Sequence, residues 1–73
     1  MDNEREIVSI FSKHLRKLRI KNNLTQEKLA ELADISYKNI QYLESKNPTC
    51  PNLITLNKIA NAFKISLSKL LNF

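Results

Sequence analysis

The spacing of the apolar residues most constrains the fold, because they recur at intervals of three and four along nearly the whole chain. This spacing puts apolar side chains on one face of an α-helix, whereas a half-buried strand alternates them at every second residue. A chain of 73 residues fits a single domain that buries only about 60% of its unfolded surface and so needs close helix packing or a partner chain. We therefore predict one all-α domain over residues 1–73.

Helix starts are marked by side chains that can accept a hydrogen bond from a free backbone N–H. A first helix is predicted over residues 7–22, and residues 1–6 either fray or add a first turn to it. Its apolar residues are Ile7, Ile10, Phe11, Leu15 and Leu18. The N-caps of the next four helices are predicted to be Thr25, Ser36, Asn52 and Ser66. The proline-containing segment 46–51 reads as a loop, and the fourth helix is expected to turn Leu53, Leu56, Ile59, Ala60 and Phe63 inward.

Residues 25–45 combine two short helices with a tight turn, which is the pattern of a helix-turn-helix. Small residues at Ala30 and Ala33 allow the helices to approach, while Asp34 takes a positive φ and Ile35 plugs the turn. Ile40 and Leu43 anchor the second helix from below. Its outer face carries side chains suited to base edges and phosphates, and none of them is acidic. Lys38, Gln41, Tyr42 and Ser45 lie on this face, with Tyr37 and Asn39 flanking it.

Charge favours an anionic partner, since the formal net charge is +5 and the pI is about 9.6. Between Ile7 and Gln26 the chain has bases but no acid. One cysteine, one histidine and no glycine exclude an internal disulfide, the usual metal sites and a glycine-rich phosphate loop. We expect no enzyme activity, no metal, no cofactor and no small-molecule ligand. No apolar run could span a bilayer and the amino end is acidic, so a cytoplasmic protein is expected.

The segment from Leu24-Thr-Gln-Glu through Ile35-Ser to Leu43-Glu44 resembles the XRE family, the phage Cro and repressor type of helix-turn-helix. The likeness extends through residues 51–66 and back to residues 15–19. Taken as a whole, the resemblance covers about residues 11–71. It implies that Gln26, opening the second helix, holds a DNA phosphate, which agrees with the anion preference of helix N-termini. It also implies that Arg19 pairs with Glu44, whose inward position would otherwise be costly. The candidate base-reading residues that the resemblance implies are Ser36, Tyr37, Lys38, Asn39, Gln41 and Tyr42. The sequence departs from the family where Asn23 and Asp34 stand in place of glycines.

The leading hypothesis is a homodimeric transcription regulator that places its third helix in the major groove of a pseudo-palindromic double-stranded DNA site. Phosphate contacts are expected from Thr25, Gln26, Arg16, Lys17, Arg19, Lys46 and Asn47. The loop at residues 45–51 is one residue longer than the family's usual form, so the phosphate-binding roles of Lys46 and Asn47 stay open. A dimer surface is expected among Leu67, Leu70, Leu71 and Phe73, some of which close the core instead. The rival hypothesis is a protein-interaction module, such as an antitoxin-type partner binder, that reuses the fold without reading DNA. A basic first helix lying on a membrane surface ranks third.

Overall fold

Five α-helices make up the fold, and the computed structural model of the chain describes residues 2–73. The helices are α1 (Asp2–Lys21), α2 (Gln26–Ala33), α3 (Tyr37–Leu43), α4 (Leu53–Ala62) and α5 (Leu67–Leu70). No strand occurs within this range, so the all-α prediction is confirmed. The acidic start adds a turn to α1 rather than fraying from Asp2 onward; Met1 lies outside the described residues. None of the described helices is long and apolar enough to cross a membrane.

Three of the four connections between helices share one construction. Each has a residue in the left-handed region, then an apolar residue, then the N-cap of the next helix. The left-handed residues are Asn23, Asp34 and Lys64, with φ of 58°, 58° and 59°. The backbone N–H of the apolar residue donates to the carbonyl five residues earlier, in the pairs Leu24–Arg19 (3.0 Å), Ile35–Ala30 (3.1 Å) and Ile65–Ala60 (3.0 Å). These bonds satisfy carbonyls that the ending helix leaves free.

All four predicted N-caps are confirmed. Each capping side chain accepts a hydrogen bond from the backbone N–H three residues later, in the pairs Thr25–Lys28, Ser36–Asn39, Asn52–Thr55 and Ser66–Lys69. The left-handed conformations expected at Asn23 and Asp34 are also present, whereas the one at Lys64 was not predicted. Substitution of a capping residue by alanine costs about 1 kcal/mol in typical helices, so the caps fix where each short helix begins.

The core is formed where the inner faces of the helices meet. Its buried members are Phe11, Leu15, Leu29, Ala30, Ala33, Ile40, Leu43, Ile59, Ala60 and Leu70. Among the apolar residues of the first turns of α1, Ile7 and Ile10 are exposed and Val8 is buried. Leu53 was wrongly assigned to the core: it lies in the first turn of α4 and is 67% exposed. Leu56 and Phe63 are partly buried against the core.

The loop from α3 to α4 is held against the first helix. Arg5 Nη2 donates to the carbonyl of Pro48 at 3.1 Å, and Pro48 is buried. At the loop's start, Ser45 Oγ donates to the carbonyl of Tyr42 at 2.9 Å. The predicted loop is therefore present, and it is tied to the amino-terminal half of α1 by a contact between residues far apart in sequence.

Candidate nucleic-acid interface

The third helix presents one buried side and one exposed side. Ile40 and Leu43 are buried and anchor α3 on the core. Most of the predicted base-reading side chains are exposed on the other side: Ser36, Tyr37, Lys38, Gln41 and Tyr42. Asn39 is half-buried, so its amide is less free than the others to leave the helix surface. The exposed set carries hydrogen-bond donors and acceptors and no carboxylate, so it does not repel an anionic surface.

The turn between α2 and α3 sets the direction of that face. Asp34 ends α2 in the left-handed region, and its backbone N–H bonds to the carbonyls of Ala30 and Glu31. Lys58 Nζ, from α4, donates to the carbonyl of Asp34 at 3.3 Å. The two helices and their turn are thus connected to α4, which packs against α2. A rigid support of this kind holds an exposed helix in one orientation.

A buried ion pair joins the end of α3 to α1. Arg19 Nε donates to Glu44 Oε2 at 2.8 Å and Arg19 Nη2 donates to Glu44 Oε1 at 3.0 Å. The Glu44 side chain is only 1% exposed and the Arg19 side chain 12%. Arg19 Nη1 also donates to the carbonyl of Leu24 at 2.8 Å. Because all three guanidinium nitrogens have partners, the first role of Arg19 is to hold α1, the α1–α2 corner and α3 together.

Gln26 belongs to the same cluster. Its Nε2 donates to Glu44 Oε1 at 3.1 Å, which fixes the side chain at the first residue of α2. A primary amide has two N–H donors, so one remains for another acceptor. Thr25 uses its hydroxyl oxygen to cap α2 by accepting from the Lys28 N–H. The Gln26 amide and the free N–H groups of the α2 N-terminus therefore lie together, in a position that favours an anion.

The other predicted phosphate-binding side chains lie at the surface. Arg16, Lys17, Lys46 and Asn47 are all exposed. On α2, Lys28 Nζ donates to Glu31 Oε1 at 2.8 Å, and this hydrogen bond, with the charge of Lys28, holds the pKa of Glu31 below its usual value. Both side chains of that pair are mostly exposed, so the pair makes only a weak contribution to stability.

The residues expected at a dimer surface have different environments. Leu70 is completely buried and closes the core, so its assignment to a subunit contact is corrected. Leu67 packs partly against the core. Leu71 and Phe73 are exposed, although the Phe73 ring lies 5.9 Å from that of Phe11 and 5.2 Å from that of His14.

Sequence reasoning missed an apolar surface at the start of α4. Leu53 is 67% exposed and Ile54 70% exposed, and both border a shallow groove with Leu67. We call Leu53, Ile54 and Leu67 the α4–α5 patch. The helical periodicity of α4 includes Leu53 but does not show that the first turn of the helix extends past the core; two consecutive apolar residues at a helix start were the available signal.

The comparisons with known proteins agree with this geometry. A family model described as helix-turn-helix matches residues 15–70, a range that contains the turn, the ion pair and all of α2, α3, α4 and α5. No curated protein matches the sequence closely enough to count as a relative. The family match covers well over half of the chain and coincides with the elements found in the structure. The chain therefore belongs to the XRE-type helix-turn-helix family, a family of DNA-binding regulators.

Proposed function

We propose that this protein is a bacterial or phage-encoded, sequence-specific regulator of transcription. It acts in the bacterial cytoplasm as a homodimer on a pseudo-palindromic DNA site. The observation that carries the proposal is the exposed face of α3, which is polar, free of acids and rigidly supported from below. A helix of this kind fits the major groove, where each base pair presents a distinct set of donors and acceptors.

Roles on the face follow from side-chain chemistry. Lys38 donates to the O6 and N7 acceptors of a guanine, and Gln41 or Asn39 pairs with an adenine through two hydrogen bonds. The half-buried position of Asn39 favours Gln41 for the adenine contact. Tyr37 and Tyr42 contact a thymine methyl group or donate to a phosphate.

Phosphate contacts fix the register of the protein on the duplex without reading its sequence. Gln26 and the N-terminus of α2 take one phosphate, with Thr25 beside them, and Glu44 holds the Gln26 amide in place. Arg16, Lys17, Lys46 and Asn47 supply further contacts along the backbone. Since each phosphate neutralised releases counterions, the binding constant falls steeply with added salt.

The α4–α5 patch is the surface through which we expect two copies to pair. Ile54 lies one helical turn before Lys58, which contacts the turn of the helix-turn-helix through the Asp34 carbonyl. The patch is therefore close to the reading element. The molecule measures 33 × 24 × 22 Å, so two copies side by side fit a pair of half-sites spaced by about 34 Å, one turn of DNA.

The experiment is selection of a preferred site from a random duplex pool, followed by affinity measurements on preferred and random sequences. Lys38→Ala or Gln41→Ala should reduce the preference, with about a tenfold loss or more at one base position, since a good base contact is worth about 1–3 kcal/mol. Lys17→Ala or Lys46→Ala should weaken binding to all sequences alike and lower the salt slope by about 1.

Two results would contradict the proposal. Wild-type protein that shows no sequence preference even at low salt is not a sequence-specific regulator. Equal losses on every sequence for Lys38→Ala and Gln41→Ala would mean that the exposed face of α3 does not read bases.

A further inference from the structure

A second polar surface lies beside the ion pair, on the side of α1. Ser9, Ser12, Lys13 and Arg16 from α1 face Glu44, Ser45 and Lys46 across a groove of about 450 Å³. We call this the α1–α3 groove. Ser12 and Lys13 lie three and four residues after Ser9, and Arg16 lies four and three residues after them, so the four side chains share one face of the helix along two turns. Lys13 and the three serines are not used by the function proposed above.

The charge of the groove is positive despite its one carboxylate. Lys13, Arg16 and Lys46 bring three cations that are exposed to solvent. Glu44 has both carboxylate oxygens bonded to Arg19, accepts a further bond from Gln26 and is 1% exposed. Its charge is compensated by Arg19, so it offers little repulsion to an anion in the groove.

Ser12 gives the groove a hydroxyl donor. The residue is 7% exposed and lines the groove, and within residues 2–73 its hydroxyl has no hydrogen-bond partner. Its oxygen is not among the fully buried unpaired atoms of these residues, so it is open to the groove. A ligand oxygen there can accept a hydrogen bond from Ser12 without displacing a protein partner.

We propose that the α1–α3 groove binds a phosphate group of the DNA backbone through Ser12, Lys13 and Lys46. Hydroxyl and ammonium donors around one groove with three cations and a compensated carboxylate suit a phosphate, which presents acceptors on every side. The groove shares Glu44 with the cluster that positions Gln26, so it continues the phosphate-binding surface from the α2 N-terminus along α1. The inference rests on the proposed function for its source of phosphate, and it adds Ser12 and Lys13 to the DNA-contacting residues.

The test measures the dependence of DNA affinity on salt for wild type, Lys13→Gln and a matched control, Lys64→Gln, which removes an exposed charge at the α4–α5 corner. Lys13→Gln should lower the slope of log K against log salt by about 0.9 per protomer, the value for one phosphate contact on duplex DNA. Its ranking of DNA sequences should not change, and Lys64→Gln should keep the wild-type slope. A wild-type slope for Lys13→Gln overturns the proposal.

Ser12→Ala provides an independent measurement. Without DNA this variant should be as stable as wild type or more stable, since it removes an unpaired hydroxyl. On DNA it should bind about tenfold more weakly, because a hydrogen bond to a charged group is lost. Unchanged DNA affinity, or equal losses of stability and affinity, would mean that Ser12 acts only in the fold.

A titration with inorganic phosphate distinguishes a DNA phosphate from a free anion. Backbone amide signals of isotope-labelled protein are followed by NMR as phosphate is added. If phosphate at low millimolar concentration shifts the signals of Ser12 and Lys13 while Lys13→Gln keeps the wild-type salt slope, the groove holds a free anion and the DNA assignment is wrong. If neither probe responds, the groove holds water only. If the wild-type protein shows no sequence preference, the proposed function is wrong. The salt dependence of its binding to random duplex DNA still tests whether the groove binds a phosphate.

Discussion

At the scale of single residues, the buried carboxylate of Glu44 joins three helices through its hydrogen bonds. A carboxylate that is 1% exposed loses most of its hydration, and only paired, well-aligned donors offset that loss. Arg19 supplies two such donors and Gln26 a third. The same carboxylate thereby positions α1, the end of α3 and the first residue of α2. Under the proposed function, Glu44 therefore couples the stability of the fold to the phosphate contact of Gln26.

Removing one partner of this pair should be more damaging than removing both. Arg19→Leu leaves Glu44 buried without its cation and should lower the free energy of unfolding by about 3–5 kcal/mol, while the double variant Arg19→Leu/Glu44→Leu should recover much of that loss. Urea unfolding measures the free energy of unfolding of wild type and of each variant. Arg19→Lys keeps the positive charge, so it should fold with a stability between those of wild type and Arg19→Leu.

The exposed Lys28–Glu31 pair is the matched control, and alanine substitutions there should show a much smaller coupling in a double-mutant cycle. Strictly additive effects of the Arg19 and Glu44 substitutions would contradict the assigned role of the pair.

At the scale of elements, the repeated corner explains how short helices are joined without glycine. The left-handed conformation is tolerated by Asn and Asp, whose short polar side chains bond locally, but lysine has no such compensation. Lys64 nevertheless adopts φ of 59°, since the bond from the Ile65 N–H to the Ala60 carbonyl and the buried side of α4 define the corner.

Glycine at these corners should therefore stabilise the fold, and most of all at the α4–α5 corner. Lys64→Gly should raise the free energy of unfolding by about 1 kcal/mol, because it removes the left-handed penalty. Asp34→Gly should give a smaller gain. Thermal unfolding by circular dichroism measures both, and Lys64→Ala is the control, which should give no gain since alanine keeps the Cβ atom. A loss of stability in Lys64→Gly would show that the lysine side chain contributes something the backbone geometry does not explain.

At the scale of the whole molecule, the exposed apolar residues at the start of α4 bear on how two copies associate. Leu53 and Ile54 are 67% and 70% exposed, in a domain so small that its own core supplies only a modest margin of stability. Pairing two copies through the α4–α5 patch would bury this surface and set the spacing of the two reading helices.

Ile54→Glu should convert a dimer into a monomer, because it places a charge where apolar side chains meet. Analytical ultracentrifugation measures the mass, and the melting temperature of wild type should rise with protein concentration while that of Ile54→Glu should not. Leu71→Glu is the matched control, with an exposed apolar residue outside the patch. If Leu71→Glu dissociates the dimer and Ile54→Glu does not, the interface lies at the C-terminus and the patch is wrongly assigned.

Sequence alone determined the local features of this protein. The caps at Thr25, Ser36, Asn52 and Ser66 and the corners at Asn23 and Asp34 depend on hydrogen bonds and backbone angles within a few residues, so the residue types suffice to predict them. The acid-free face of α3 is likewise a matter of helical periodicity. The family resemblance added the pairing of Arg19 with Glu44.

Only the tertiary structure decided which apolar residues remain at the surface and which polar residues come together. Periodicity assigned Leu53 inward, but burial depends on whether another element covers that turn of the helix, and at 67% exposure the first turn of α4 is not covered. Arg5 donates a hydrogen bond to Pro48, and Ser12 lines one groove with the end of α3, although long stretches of chain separate the residues of each set. Such contacts arise from the way the helices pack, and no spacing within a single helix encodes them.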